Sequence, residues 1–153
     1  METRNIFENI SCIDHRYSLS EAPVFEGLSK YISEEASVRS HAKCEAALVK
    51  AHLKLRGKLT DEIAAKLDSV AENIDPEEVY KEEEKTKHNI RALVNVMKTK
   101  VDSEIGPLIH LGATSVDILD TGLSCRTATP ATMAEPTTPE TEVPTGLSLF
   151  AKA

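Results

Sequence analysis

The side chains best suited to moving protons near neutral pH are five histidines: His15, His41, His52, His88 and His110. No HExxH or HxH pair occurs, so a zinc site would need ligands gathered from remote parts of the chain, and no metal is expected. Cys12, Cys44 and Cys125 form no CxxC pair and are odd in number, which points to neither a disulfide framework nor a zinc knuckle. Two histidines lie in settings that suggest chemistry. If residues 76–101 form one helix turning ~100° per residue, His88 sits about 180° from Val79 and faces away from the apolar stripe. Lys87, Arg91 and Asn95 accompany it. Such a face is either merely solvated, or a cationic, hydrogen-bonding surface for an anion that another element or subunit completes. His110 opens the second setting, His110-Leu111-Gly112-Ala113-Thr114-Ser115. There an imidazole, a glycine permitting close backbone approach and two hydroxyls precede a helix start, where free N–H groups suit a phosphate or carboxylate. Simple capping by Thr114 or Ser115 accounts for the same residues. His41 and His52 read as ordinary surface or edge residues.

The elements that must position these groups are helical. Residues 1–27 read as an irregular lead-in, with Pro23 and Gly27 as breakers. From Leu28 to Gly57 a single long helix is expected, with Leu28, Ile32, Ala36, Ala42, Ala46, Val49 and Leu53 on one face. Thr60 can cap a second helix closing near Ile74. Asp75-Pro76-Glu77-Glu78 is a strong start signal for a third, running to about Val101, with a capping Asp, Pro at the first helical position and Glu three residues after the cap. Its buried stripe would be Val79, Glu83, Ile90, Leu93, Val94, Met97 and Val101. A fourth helix begins at Thr114 or Ser115 and closes near Arg126. No alternating strand pattern of useful length appears, so the fold class is all-α. From Thr127 to Gly146 there are seven Thr and four Pro; residues 127–153 are expected to form a disordered tail, with too little apolar surface to offset the ordering entropy.

Composition narrows the function classes. In 153 residues, 41% hydrophobic and 28% charged is ordinary for one globular domain, and 4% aromatic with no Trp implies a core of Leu, Ile, Val and Ala. A net charge of −7 argues against nucleic-acid partners, whose phosphates demand clustered Lys and Arg, yet permits a small anion held by local cations. No apolar run nears the ~20 residues that span a bilayer, and the first residues lack a signal-peptide pattern. A cytoplasmic protein without membrane contact is expected.

Residues 84–92, EKTKHNIRA, resemble the T-[KR]-H-D-[VI]-x-A helix of adenylosuccinate lyases, in the fumarase/aspartase superfamily. Residues 109–121, IHLGATSVDILDT, resemble that family's H-x-G-x-T-S-x-D-x-x-D-T block. His15-Arg16-Tyr17-Ser18 is similar to its N-terminal R-Y-S, and Cys44-Glu45-Ala46-Ala47-Leu48 to a C-E-A segment of its first long helix. The resemblance spans roughly residues 13–126 and about the first quarter of a family member. It implies the helical N-terminal domain of the superfamily, without the central bundle that makes the family tetrameric. It implies a purine-nucleotide substrate and no cofactor. Fumarate would be eliminated from adenylosuccinate and from succinyl-carboxamide ribotide. On this resemblance Arg16 and Tyr17 hold the nucleotide end, and Lys87, His88 and Asn89 line the substrate. His88 and His110 act as auxiliary catalytic groups, and Thr114 and Ser115 bond a substrate anion. Asp117 and Asp120 brace the loop. Asn89 replaces the family's usual Asp, trading a charge for an amide. The family's T-H-G-x-H segment and the Ser-rich loop that supplies the base do not occur in these residues. The resemblance therefore implies a chain inactive alone and prone to self-association. The alternative is a non-catalytic helical module that binds a nucleotide or another anion, or serves as an interaction surface.

Overall fold

The computed structural model describes residues 6–8, 10 and 22–133. A 3-10 turn at Ile6–Glu8 precedes helices α1 (Ala22–Ile32), α2 (Glu34–Leu55), α3 (Asp61–Glu72), α4 (Pro76–Thr86) and α5 (Asn89–Thr99). A second 3-10 turn, Gly106–Leu108, leads to α6 (Ser115–Met133). Among the described residues there is no strand, and the all-α reading holds.

The cap signals act where the sequence places them. Thr60 Oγ1 accepts from the Ile63 N–H at 3.2 Å, and Asp75 Oδ1 accepts from the Glu77 N–H at 2.9 Å with Pro76 opening α4. Two long helices turn out to be pairs. The one expected from Leu28 breaks at Ser33, whose extended backbone and hydroxyl, accepting from the Ala36 N–H at 3.2 Å, start α2 with Glu34 and Glu35 in its first turn. Before the break α1 begins at Ala22, inside the expected lead-in. Pro23 lies in its first turn, where a missing N–H costs nothing. The helix expected over 76–101 divides at Lys87-His88, because Lys87 takes a left-handed conformation (φ 53°, ψ 30°). The last helix does not close near Arg126 but continues through Met133, so residues 127–133 of the expected tail are helical. Thr127 fits there because its hydroxyl donates back to Leu123 O at 3.0 Å.

α2 is the hub, packed against α1, α3, α4, α5 and α6. Its stripe of Ala36, Ala42 and Ala46 is small enough for close approach, and Val49 and Leu53 extend it. Leu67, Ile90, Leu93, Val94 and Met97 complete the interior; each large side chain buried this way contributes ~1.5–3 kcal/mol. Leu28 and Ile32, expected in that stripe, are instead exposed (45% and 39%), because the break at Ser33 redirects α1. α6 lies against α2 at Gly122, where Ser40 Oγ donates to Gly122 O at 2.9 Å and the His41 ring fills the space a Cβ would occupy. This contact anchors α6, and so fixes where its N-terminus points. No helix among the described residues is long and apolar enough to cross a membrane.

Candidate functional site

His88 reaches its position through the αL residue before it. The Lys87 N–H donates to Glu83 O at 2.7 Å, ending α4, and the chain then extends at His88 (φ −154°, ψ 114°) before α5 starts. His88 is thus not on the polar face of a continuous helix; it is the N-cap of α5. Its Nδ1 accepts from the Arg91 N–H at 3.3 Å. In the neutral imidazole the proton must then reside on Nε2. Nε2 lies 3.3 Å from Ser115 Oγ and donates to it. Ser115 accepts in that bond, so its own hydroxyl proton is left to donate elsewhere.

Ser115 is the first residue of α6, and the turn before it is a reciprocal cap. Asp117 Oδ2 accepts from the Thr114 N–H at 2.8 Å and from Thr114 Oγ1 at 3.0 Å, while Thr114 Oγ1 accepts from the Asp117 N–H at 3.4 Å. These bonds from Thr114 hold the Asp117 carboxyl below the usual carboxylate range. The Thr114 hydroxyl is spent on this cap, so of the two hydroxyls only Ser115 is directed at His88.

His110 is held from the other side. Its backbone is left-handed (φ 66°), as is that of Gly112 (φ 79°), which curls the segment into α6. Its Nδ1 lies 2.6 Å from Oε1 of Glu45, a fully buried carboxylate of α2. Seven residues further along α2, His52 Nε2 donates to Leu111 O at 2.8 Å. Two side chains about two turns apart on one face of α2 therefore grip the loop. Burial holds the Glu45 carboxyl above its ordinary range, and the hydrogen bond and charge of His110 with the charge of Lys98 offset this only in part.

The two segments singled out in the sequence thus meet at the His88–Ser115 contact, with His110 five residues before Ser115. Lys87 and Asn89 flank His88 and are exposed. Arg91 is also exposed and contributes its backbone N–H to the cap, whereas Asn95 Nδ2 donates to Glu82 at 2.9 Å and belongs to the α4–α5 packing. Arg16 and Tyr17 lie outside the described residues. Asn89 also borders a cavity of about 230 Å³ whose lining includes Glu34, His41, Tyr80 and Glu83; its two carboxylates make it unsuited to an anion. Among the described residues no group of three or more His, Cys, Asp or Glu is placed to hold a metal ion. Sequence reasoning gave Glu45 no part, and the signal was a lone carboxylate within the apolar positions Ala42, Ala46 and Val49. His41 and His52 were likewise undervalued. His41 is buried beneath α6, and His52 secures the loop.

Comparison with known proteins finds relatives by sequence. The chain is 34% identical over 114 residues to the adenylosuccinate lyase of Methanocaldococcus jannaschii, a match covering 73% of this chain. Over this stretch the chain is homologous to part of adenylosuccinate lyases. The lyase of Archaeoglobus fulgidus is 33% identical over 109 residues, and that of Pyrococcus abyssi 35% over 111, each match covering 71% of this chain. The match amounts to only 22–23% of the length of these lyases, as an N-terminal portion would. No family model matches, and no solved structure matches.

Proposed function

We propose that His88, Ser115 and His110 form one wall of an adenylosuccinate-lyase substrate site, which grips an anionic group of a purine nucleotide during elimination of fumarate. The observation that carries this reading is the His88–Ser115 contact, because it unites the two segments that bear the lyase resemblance. Ser115 offers a free hydroxyl proton beside the N-terminus of α6, where unpaired N–H groups and the helix dipole favour negative charge. Lys87 adds a cation, and Asn89 an amide where the family carries a carboxylate. By the resemblance, Arg16 and Tyr17 hold the nucleotide end, and His88 and His110 orient the substrate while other groups move protons.

The elimination needs a base to take the proton next to a carboxylate and an acid to protonate the departing nitrogen. The family segments that carry these groups do not occur within residues 1–153, so this stretch supplies binding without turnover. A second reading, an interaction module derived from the lyase, draws support from the exposed apolar positions Val24, Leu28 and Ile32 on α1. The test is an NMR titration of the 153-residue chain with AMP, together with a spectrophotometric fumarate assay. Shifts confined to His88, His110 and Ser115, abolished by Ser115→Ala, with no fumarate released from adenylosuccinate, are expected. Absent or evenly scattered shifts would overturn the substrate reading, and steady fumarate release would overturn the division between binding and turnover.

A further inference from the structure

Glu45 is the only carboxylate buried among the described residues, and it sits in the middle of the α2 stripe. Only one of its oxygens is bonded, Oε1 to His110; Oε2 has no partner. Withdrawing a carboxylate from water is costly, and an apolar residue of similar volume at such a position is often neutral or stabilising. His110 adds a second cost, a left-handed backbone at a residue other than glycine. A need to fasten the loop does not explain both, since His52 already holds Leu111 O and the Leu111 N–H donates to Leu108 O at 3.2 Å.

What the pair does achieve is a choice of tautomer. An ionised carboxylate can only accept, so in a neutral His110 imidazole Nδ1 must carry the proton and the Nε2 lone pair is left free. His88 is set the opposite way, with Nδ1 accepting from a backbone N–H and Nε2 donating. We propose that Glu45 is a positioning residue that locks His110 as the Nδ1–H tautomer, so that the site presents His88 Nε2 as a donor and His110 Nε2 as an acceptor. The inference rests on the substrate reading above for its purpose, though not for its geometry. One imidazole would accept from a substrate N–H or hydroxyl while the other, through Ser115, serves the anion. The charged and titratable groups around the pair are Lys98 of α5, which acts on Glu45, the Cys44 thiol beside Glu45 on α2, and Asp117 of α6, which acts with His110.

Long-range nitrogen–proton NMR on the labelled 153-residue chain reads both tautomers directly. At neutral pH His110 is expected as Nδ1–H and His88 as Nε2–H. Glu45→Leu, which removes the acceptor but keeps the bulk, should lower the Nδ1–H to Nε2–H ratio of His110 roughly tenfold or more, the factor one charge-assisted hydrogen bond supplies. His88 should not change, and Glu45→Gln, which still offers an amide oxygen, should restore the Nδ1–H form. A wild-type His110 protonated on Nε2 overturns the proposal even if the Leu variant does not fold, as does a folded Leu variant that keeps the wild-type ratio. Adding AMP separates the two readings. Loss of the AMP response with tautomers as expected refutes the substrate site alone, while a normal AMP response with His110 in the other tautomer refutes the role of Glu45 alone.

Discussion

Replacing Gly122 with alanine would put a methyl carbon 2.5 Å from His41 Cδ2, 3.2 Å from His41 Nε2 and 3.4 Å from Ser40 Oγ. In an unobstructed helix the same change stabilises by ~0.5–1 kcal/mol, since alanine loses less backbone freedom on folding. Here the neighbour is a buried ring, and forcing an extra methyl into a packed contact costs ~1–3 kcal/mol. The steric cost outweighs the propensity gain, leaving Gly122→Ala less stable by about 1 kcal/mol or more. Urea unfolding followed by circular dichroism should show a lower midpoint at unchanged slope. The His41 ring can yield only by swinging towards the cavity it lines, and α6 can yield only by lifting from α2. Lifting would carry Ser115, two helical turns upstream, away from His88, so the His88 imidazole resonances should move as well. In a His41→Ala background the added methyl has room, and Gly122→Ala should become neutral or stabilising there. A variant as stable as wild type, or the same loss in both backgrounds, would refute the claim that this contact sets the position of α6.

Burial of His41, aided by the Arg126 guanidinium and opposed by Glu34, holds its imidazole below the ordinary value near 6.5. The unfolded chain therefore binds the extra proton first; the contribution of His41 is full above about pH 6.5 and is lost as pH falls through the folded-state value. Wild type should lose stability relative to His41→Gln as pH drops from 7 to 5, and parallel curves in thermal melts would contradict this. Lys87→Gly should stabilise by about 0.5–1 kcal/mol, because glycine adopts the left-handed backbone at φ 53° without a Cβ clash; a lower denaturation midpoint would count against that assignment. The exposed stripe Val24, Leu28 and Ile32 predicts concentration-dependent self-association that Leu28→Lys weakens. Sedimentation of a wild-type monomer unaffected by concentration would dispose of it.

The helical class, the caps at Thr60 and Asp75, the start of α6 and most of the buried stripes were legible in the chain, because each depends on neighbours within about four residues. The His88 and His110 segments were legible as family-like patterns, though not the contact between them. The breaks at Ser33 and at Lys87-His88 were missed for a local reason. Apolar spacing runs on across both: at Ser33 it masked an ordinary capping serine followed by two glutamates, and at Lys87-His88 neither a lysine in a left-handed turn nor a histidine cap is an ordinary stop or start signal. Glu45 and His41 were missed for a non-local one. A carboxylate or imidazole inside an apolar face is tolerable only if a partner arrives from elsewhere, and those partners, His110 and Gly122, lie 65 and 81 positions away. Periodicity records which face a residue occupies. Only the packing of α6 and its preceding loop onto α2 decides what that face meets, and with it the direction in which each imidazole carries its proton.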